Sequence, residues 1–508
     1  MYRHNDKRSG FVFMKINLLL KLSIGLGLLT IIRIIVAASV PLSPDEAYYW
    51  VWSRHLDFSF YDHPPMIALW IKAGCLLWGN TELGVRFLGS LAAFIGSFFI
   101  FFAVKDFNNH QQQSDRKAMI AVLLLNATLT VGVGAIIMTP DTPLLFFVCT
   151  LLWGCGRLFY TKSVQWWWFI GASAGLALLS KYTAILLIMA LGLWCLISQE
   201  GRSYLKTKEL WGGAVLASAI FSPVILWNSQ HQWISLLKQG GRTTDWNPSR
   251  ALQFLSELLG GQIGLSTPII FICFCIGIVS LTKTIWHKKF SPSALLLWLM
   301  IIVPVCVFIQ HAVGDRVQAN WVGLLYPVLV VIAGLYVTQW LKTAIIIGFS
   351  VISLVYIQVL FAILPLPAKK NILLKQLGGW QTFAQSVNSA VPSDRVIISD
   401  NYGLASELRF YLPKRQIIVV GDRWKYFNLP VSYTMKGYYI RKQNNKESSF
   451  LSVDENSYFA PAYNPLGYPP RGKIERQQYD QIAQIYELYN VDLDPRLATI
   501  GESKQLPN

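Results

Sequence analysis

Long apolar runs separated by short polar segments cover most of the chain between residues 18 and 364. Eleven of these runs are candidate membrane spans, because each approaches the ~20 residues that an α-helix needs to cross about 30 Å of hydrocarbon. They lie at 18–40, 82–104, 118–138, 142–160, 166–180, 182–198, 210–228, 267–282, 293–310, 321–338 and 343–364. The runs at 166–180 and 182–198 are short for a crossing. The pattern predicts a polytopic α-helical membrane protein with about 11 transmembrane helices.

The last part of the chain has a different pattern. Residues 371–508 are polar, rich in tyrosine and mixed in character, so they cannot lie within a membrane. Apolar runs at 396–398 and 417–420 predict two strands, and 404–411 between them predicts a helix, which is a βαβ-like pattern. The predicted organisation is a cytoplasmic N-terminus at 1–17, a transmembrane domain at 18–367 and a small soluble α/β domain at 368–508.

Composition agrees with a membrane protein. Hydrophobic residues make up 53% of the chain and charged residues only 14%, whereas soluble proteins carry about 25% charged residues. A net charge of +17 would suggest nucleic acid as the partner of a soluble protein, but here Lys and Arg concentrate in the connections on the side of the N-terminus. Cytoplasmic loops show this enrichment. The N-terminus is therefore predicted to be cytoplasmic, and an odd number of spans places the C-terminal domain on the opposite face.

The first outer loop, at 41–81, is dense in carboxylates and aromatic residues. Its segment 43–46, Ser-Pro-Asp-Glu, has the features of a helix start: a serine cap, proline at the first helical position and glutamate three residues after the cap. After a Pro-Pro turn, the apolar run at 66–78 is too short to span a bilayer upright, which favours a helix lying on the membrane surface. The loop is predicted to form a platform where a lipid-borne substrate would meet the protein.

Two aspartates in outer loops have two possible interpretations. Helix capping is one interpretation. In the first loop, Glu46 would close a capping box and Asp45 would complement the helix dipole. Asp141 lies in a similar Thr-Pro-Asp turn at 139–143, where capping is also expected. Alternatively, the two aspartates lie on the same face and converge on one active site. The residues alone leave both interpretations open.

Several basic residues are predicted on the same outer face as the aspartates. Lys181 lies in an apolar surround, and Arg242 lies in the long loop 229–266, which is predicted to be a polar lid because loops of this length are often functional. Each cation alone is explained by contact with water or lipid headgroups. Their common side favours an anion-binding role for the group, whose members are Arg86, Lys181, Arg242 and Arg316.

These motifs resemble the membrane-embedded glycosyltransferases of the C-type fold. Within them, the chain is most similar to the polyprenyl-phosphate-sugar family that includes protein O-mannosyltransferases and bacterial aminoarabinose transferases. The resemblance covers roughly residues 18–364. It rests on the strings at 45–50, 61–65, 180–184 and 318–321, with a further bacterial-like string at 401–408.

The resemblance implies an inverting glycosyltransferase. Its donor would be a sugar on polyprenyl (undecaprenyl) phosphate, and its acceptor a hydroxyl group of a lipid or glycan at the periplasmic face of the bacterial inner membrane. The catalytic aspartate falls on Asp45, beside Glu46, and the second-loop acidic residue on Asp141. The basic residues that would face the donor phosphate are Lys181, Arg242, His63, Arg86 and Arg316. No cofactor is predicted, because a donor with a single phosphate needs a metal less than a diphosphate donor does.

The chain departs from the family pattern in two places. Lipid A-modifying members commonly carry Lys immediately before Pro-Pro, whereas this chain has His63, whose charge depends on pH. No loop is long enough for the all-β insertion of eukaryotic protein mannosyltransferases, which disfavours a protein acceptor. The alternatives are a transporter or lipid flippase, which would place its polar residues near the bilayer midplane, and a glycan ligase or polymerase using diphosphate donors.

Overall fold

The computed structural model describes residues 6–241, 248–287, 291–367, 371–419, 423, 436–443, 470–478 and 481–492. The helices of the first half are α1 (Asp6–Ser39), α2 (Pro44–Arg54), α3 (Met66–Trp78), α4 (Glu82–Phe107), α5 (Ser114–Ala127), α6 (Leu129–Gly134), α7 (Asp141–Thr161), α8 (Trp166–Ser180), α9 (Ile185–Ile197), α10 (Gln199–Tyr204), α11 (Lys208–Gln230) and α12 (Ile234–Gly241). Those of the second half are α13 (Ala251–Ser266), α14 (Pro268–Trp286), α15 (Pro292–Gly314), α16 (Tyr326–Tyr336), α17 (Leu341–Phe361), α18 (Ile372–Gln376), α19 (Trp380–Ala390) and α20 (Tyr402–Tyr411). Short 3-10 turns occupy Tyr182–Ala184, Pro248–Arg250 and Ala319–Leu325.

Eight segments of the described chain are long and apolar enough to cross a membrane. They are Leu18–Ser39, Glu82–Phe107, Asp141–Thr161, Lys208–Gln230, Pro268–Trp286, Pro292–Gly314, Ala319–Tyr336 and Leu341–Phe361. Each overlaps a predicted span. The polytopic helical fold predicted from the apolar runs is therefore confirmed.

The other three predicted spans are shorter or interrupted. Residues 166–180 form α8, and the run at 182–198 forms the shorter apolar helix Tyr182–Ile197. The run at 118–138 is broken at Thr128, whose hydroxyl accepts the Val131 N–H and so starts the new helix α6. A side chain that caps the following turn competes with continuation of the preceding helix, which explains the interruption.

The chain divides into two compact units. The first contains α1 up to Ala38, His63–Trp70 and Arg86–Tyr356, and therefore most of the apolar helices. The second contains Ser39–Asp62, Ile71–Val85 and the described residues from Ile357 onward. The helix predicted at 66–78 has these bounds in the structure, and its position at the membrane surface stays a prediction.

The first unit buries a charged side chain among its helices. Arg33 of α1 is almost fully buried and donates a hydrogen bond to Asn126 Oδ1 at 2.9 Å, while Asn126 donates to Ser97 Oγ at 2.8 Å. An ionisable side chain within hydrocarbon is costly unless it faces the protein interior and finds polar partners. This network therefore links α1, α4 and α5 through side-chain hydrogen bonds.

The second unit contains a five-stranded sheet with strands β1 (Val396–Ser399), β2 (Ile417–Val419), β3 (Lys436–Lys442), β4 (Gly472–Gln478) and β5 (Gln481–Asp492). The strand order is β2-β1-β3-β5-β4. Strand β1 is parallel to β2 and β3, whereas β5 pairs antiparallel with β3 and β4. Helix α20 connects the parallel strands β1 and β2, so the predicted βαβ pattern is confirmed. In the same unit, α20 packs against α2.

Helices α8 and α11 approach each other closely because glycines face the contact. A Cβ atom added at Gly171 would overlap the carbonyl oxygen of Gly213, and one added at Gly213 would overlap the carbonyl oxygen of Trp167. Small residues allow such close backbone approach between membrane helices.

We therefore expect Gly213→Ala to force α8 and α11 apart and to destabilise the protein by roughly 1–3 kcal/mol, as overpacking does. The measurement is thermal unfolding of the purified protein in detergent. Gly192→Ala in α9 is the control, since a Cβ there meets no atom within 4 Å. Equal melting temperatures for the two variants would contradict this account of the helix contact.

Candidate active site

The N-terminus of α2 is closed by a capping box. The Ser43 N–H donates to Glu46 Oε2 at 3.0 Å, the Ser43 hydroxyl donates to the same oxygen at 3.0 Å, and the Ser43 Oγ accepts the Glu46 N–H at 3.4 Å. Glu46 is fully buried, so its carboxylate serves the cap. Asp45, one residue earlier in the same turn, is exposed. The cap therefore holds Asp45 on a rigid helix start without consuming its carboxylate.

The Asp45 carboxylate has a partner from the C-terminal part of the chain. Tyr402, the first residue of α20, donates its hydroxyl hydrogen bond to Asp45 Oδ1 at 2.8 Å. Although the residue surface is accessible to solvent, surrounding protein atoms partly desolvate the carboxylate and raise the pKa of Asp45. The Tyr402 hydrogen bond and the charge of Arg423 lower this pKa, and the charges of Asp62 and Glu46 raise it. Desolvation of the carboxyl group is the largest effect, so its pKa is raised and it is a stronger base than a fully hydrated aspartate.

An ion pair lies beside the Tyr402 ring. Arg423 donates two hydrogen bonds to Asp62, from Nε to Oδ2 at 3.0 Å and from Nη2 to Oδ1 at 3.3 Å. Asp62 Oδ2 also accepts the Tyr48 hydroxyl at 3.2 Å. The Arg423 guanidinium lies over the Tyr402 ring, 4.0 Å from its centroid, a favourable cation–π arrangement. The ion pair and the Asp45–Tyr402 pair therefore form one connected cluster.

Asp141 lies in the first unit, and both of its oxygens accept bonds. Lys181 Nζ lies 2.7 Å from Oδ1, and Asn320 Nδ2 donates to Oδ2 at 2.8 Å. The side chains of Lys181 and Asp141 are only 6% and 14% exposed. The structure thus brings together two predicted site residues and adds Asn320, from the predicted string at 318–321. Asp45 belongs to the other unit, so its convergence with Asp141 stays a prediction.

Two predicted cations have protein partners. Arg86 is 1% exposed and donates to the Ala37 carbonyl at 3.0 Å, in the last turn of α1, where a cation complements the helix dipole. Arg316 has a 69% exposed side chain and pairs with Glu257 at 2.7 Å. Arg86 thus holds a helix end in place, whereas Arg316 lies in an exposed ion pair.

The remaining predicted basic residues are His63 and Arg242. His63 is half-buried and lies directly before the Pro-Pro turn that precedes α3. Arg242 lies outside the described residues, as do residues 243–247 of the predicted lid. Their predicted contact with a donor phosphate stays a prediction.

Sequence reasoning missed four members of the cluster at Asp45: Tyr48, Asp62, Tyr402 and Arg423. Three of them lie in the strings at 45–50, 61–65 and 401–408 that carry the family resemblance, but nothing in those strings says which side chains meet. No feature of the local sequence indicated that Arg423 would pair with Asp62, because 361 residues separate the two. Partnerships over such separations depend on how the helices and the sheet pack.

Replacing Lys181 tests how strongly the free energy of unfolding depends on its ion pair with Asp141. We expect Lys181→Met to destabilise the protein by about 3–5 kcal/mol, because it leaves a largely buried carboxylate without its cation. The control is Lys162→Met, which removes an ion pair of the same 2.7 Å length to Glu200, with Lys162 62% exposed. That variant should cost about 1 kcal/mol or less. Equal losses of thermal stability would show that the Asp141 pair is no more desolvated than the surface pair.

The chain is similar to several known proteins. Residues 62–227 match the dolichyl-phosphate-mannose-protein mannosyltransferase family. The chain is 26% identical over 303 residues to the lipid A galacturonosyltransferase RgtD of Rhizobium johnstonii, and the match covers 58% of this chain and 60% of that enzyme. Apo ArnT from Cupriavidus metallidurans superposes with a TM-score of 0.62 at 14% identity, covering 99% of this chain and 100% of ArnT.

ArnT bound to undecaprenyl phosphate has the same TM-score of 0.62, at 14% identity, and covers 91% of this chain and 96% of that one. At this identity the structural likeness shows the fold alone. The C-type fold predicted from the outer-loop motifs is confirmed by these superpositions. The two sequence matches agree with the predicted resemblance to the polyprenyl-phosphate-sugar transferases.

Proposed function

We propose that this protein, which is related to the C-type polyprenyl-phosphate-sugar transferases, is an inverting glycosyltransferase. Its donor is a sugar on a polyprenyl phosphate, and undecaprenyl phosphate is favoured because a solved structure of the same fold binds it. Its acceptor is a hydroxyl group of a glycolipid or glycan, which the named activity of the lipid A galacturonosyltransferase supports. The reaction takes place at the periplasmic face of the inner membrane, as the distribution of Lys and Arg along the sequence favours.

In this reaction the acceptor oxygen attacks the anomeric carbon, and the bond from that carbon to the phosphate oxygen breaks. The acceptor hydroxyl loses its proton, and polyprenyl phosphate leaves with the bonding electrons. Two groups are needed: a base for the proton and positive or hydrogen-bonding groups for the phosphate.

Asp45 is the base. The observation that supports this role is an exposed carboxylate on a capped helix start, to which only Tyr402 among the described residues donates a hydrogen bond. Its Oδ2 is therefore available to the acceptor hydroxyl. A base with a raised pKa accepts a proton more readily, so the burial that raises the pKa of Asp45 serves the reaction.

The group of Asp141, Lys181 and Asn320 serves binding. In this proposal Asp141 holds sugar or acceptor hydroxyls, and Lys181 moves part of its bonding from Asp141 to the donor phosphate when the donor enters. His63 and Arg242 contribute further to the phosphate. Arg86 is less suited, because it is buried and bonded to the end of α1, and Arg316 already pairs with Glu257.

Asp45→Asn should abolish sugar transfer while leaving the protein folded, since the amide keeps the shape and cannot accept the proton. General-base catalysis typically contributes 10²–10⁴-fold, so we expect a loss of at least about 10²-fold. The assay uses proteoliposomes with a panel of undecaprenyl-phosphate sugars and lipid A as acceptor. The control is Asp57→Asn, a half-buried aspartate just after the end of α2, whose Oδ1 accepts the Phe58 N–H. Full activity of Asp45→Asn would contradict the proposed function.

The wild-type protein should also show a defined dependence on pH. Transfer requires deprotonated Asp45, and because burial raises the pKa of this carboxyl, activity should fall on acidification at a higher pH than an ordinary aspartate with a pKa of about 3.9 would cause. The measurement is the rate of transfer against pH, with unfolding followed in parallel. A rate that stays constant down to that ordinary value in folded protein would exclude Asp45 as the base.

A further inference from the structure

We propose that the C-terminal domain supplies a positioning residue of the active site: Tyr402, which orients the Asp45 carboxylate for proton transfer. The inference rests on the proposed function, because it assigns Asp45 as the base. It gives the C-terminal domain a direct part in the chemistry.

The helix that carries Tyr402 is held against the helix that carries Asp45. The Asn401 side chain caps α20 by accepting the Leu404 N–H at 2.9 Å. The next residue, Gly403, lies so close to α2 that an added Cβ would come within 2.7 Å of the Pro44 Cβ. A residue with a side chain would separate the two helix starts. Glycine thus allows the approach that brings the Tyr402 hydroxyl within 2.8 Å of Asp45 Oδ1.

The Tyr402 ring packs against two side chains. The Tyr48 ring packs edge-on against it with centroids 4.8 Å apart, and the Arg423 guanidinium lies 4.0 Å from its centroid. Arg423 is in turn held by two hydrogen bonds to Asp62, which also accepts the Tyr48 hydroxyl. Residues whose rotamers are set by packing and by further hydrogen bonds hold catalytic groups in productive geometry.

This arrangement suits a base that is oriented by a third group. Tyr402 binds Oδ1 and leaves Oδ2 for the acceptor proton. The hydroxyl of Tyr402 keeps its own proton, because burial and then the nearby Asp45 charge raise its pKa above the ordinary value. The other charged groups that face Asp45 are Arg423, Asp62 and Glu46. All three are unchanged when Tyr402 is replaced by Phe.

Tyr402→Phe removes only the hydroxyl and keeps the ring with its contacts to Tyr48 and Arg423. We expect kcat to fall by about tenfold or more, since a small misplacement of a catalytic group costs up to ~10²-fold, while KM changes little. A hydrogen bond to the charged form of a carboxyl lowers its pKa. Its loss should therefore move the acidic limb of the pH–rate profile to higher pH.

The matched control is Tyr411→Phe. Tyr411 lies at the other end of α20, and its hydroxyl donates to Glu82 Oε1 at 3.0 Å. The change therefore removes a similar hydrogen bond in the same unit from a residue that is not among the groups affecting the pKa of Asp45. Its kcat and its acidic limb should equal those of the wild type. Gly403→Ala provides a second variant that keeps the Tyr402 hydroxyl but displaces it, and it should move the acidic limb in the same direction as Tyr402→Phe.

The outcomes separate the two proposals. If Asp45→Asn is inactive and Tyr402→Phe has the wild-type kcat and acidic limb, the positioning role is overturned and the base assignment stands. If Tyr402→Phe loses activity only in proportion to a lower melting temperature, with the acidic limb unmoved, Tyr402 has a structural role and the inference is also overturned. Full activity of Asp45→Asn would instead refute the proposed function itself.

Discussion

The hydrogen bond from Tyr402 to Asp45 joins two parts of the chain that are 357 residues apart. It forms because α20 and α2 meet at their first turns, with Gly403 against Pro44. The same contact places the Arg423–Asp62 ion pair beside the Tyr402 ring. The geometry of the candidate base therefore depends on the C-terminal domain as much as on the outer loop that carries Asp45.

Two aspartates with similar local sequences have different surroundings. Both lie in the first turn of a helix, directly after a proline. Asp45 is exposed with one bonded oxygen, whereas Asp141 is largely buried with both oxygens bonded, to Lys181 and Asn320. An exposed oxygen can receive a proton from a substrate. A buried, neutralised pair is suited to holding a substrate through an exchange of hydrogen bonds, because leaving either partner alone in a desolvated site is costly.

The capping interpretation and the catalytic interpretation of the segment at 43–46 are compatible. Glu46 closes the cap and is buried, and this leaves Asp45 free of the cap on a turn whose backbone is fixed. Helix caps are local interactions of about 1 kcal/mol, yet here the cap also determines the direction in which a candidate catalytic group points. The capping residue and the candidate base are thus adjacent residues of one turn.

The sequence by itself determined the features that depend on neighbouring residues. The apolar runs located the spans, the Ser-Pro-Asp-Glu pattern located the start of α2, and strand and helix periodicity located the βαβ unit of the C-terminal domain. Such features follow from interactions within about four residues or from burial of whole segments. The break at Thr128 was missed, since a capping threonine inside an apolar run has little weight in that pattern.

Only the tertiary structure decided which side chains meet. It paired Asp141 with Lys181 and Asn320, and it brought Tyr402 and Arg423 to the outer-loop residues Asp45 and Asp62. These contacts depend on the packing of helices and strands that are hundreds of residues apart. The local sequence pattern does not contain information about that packing. It therefore identified Asp45 and Asp141 but not Tyr402, which donates a hydrogen bond to Asp45.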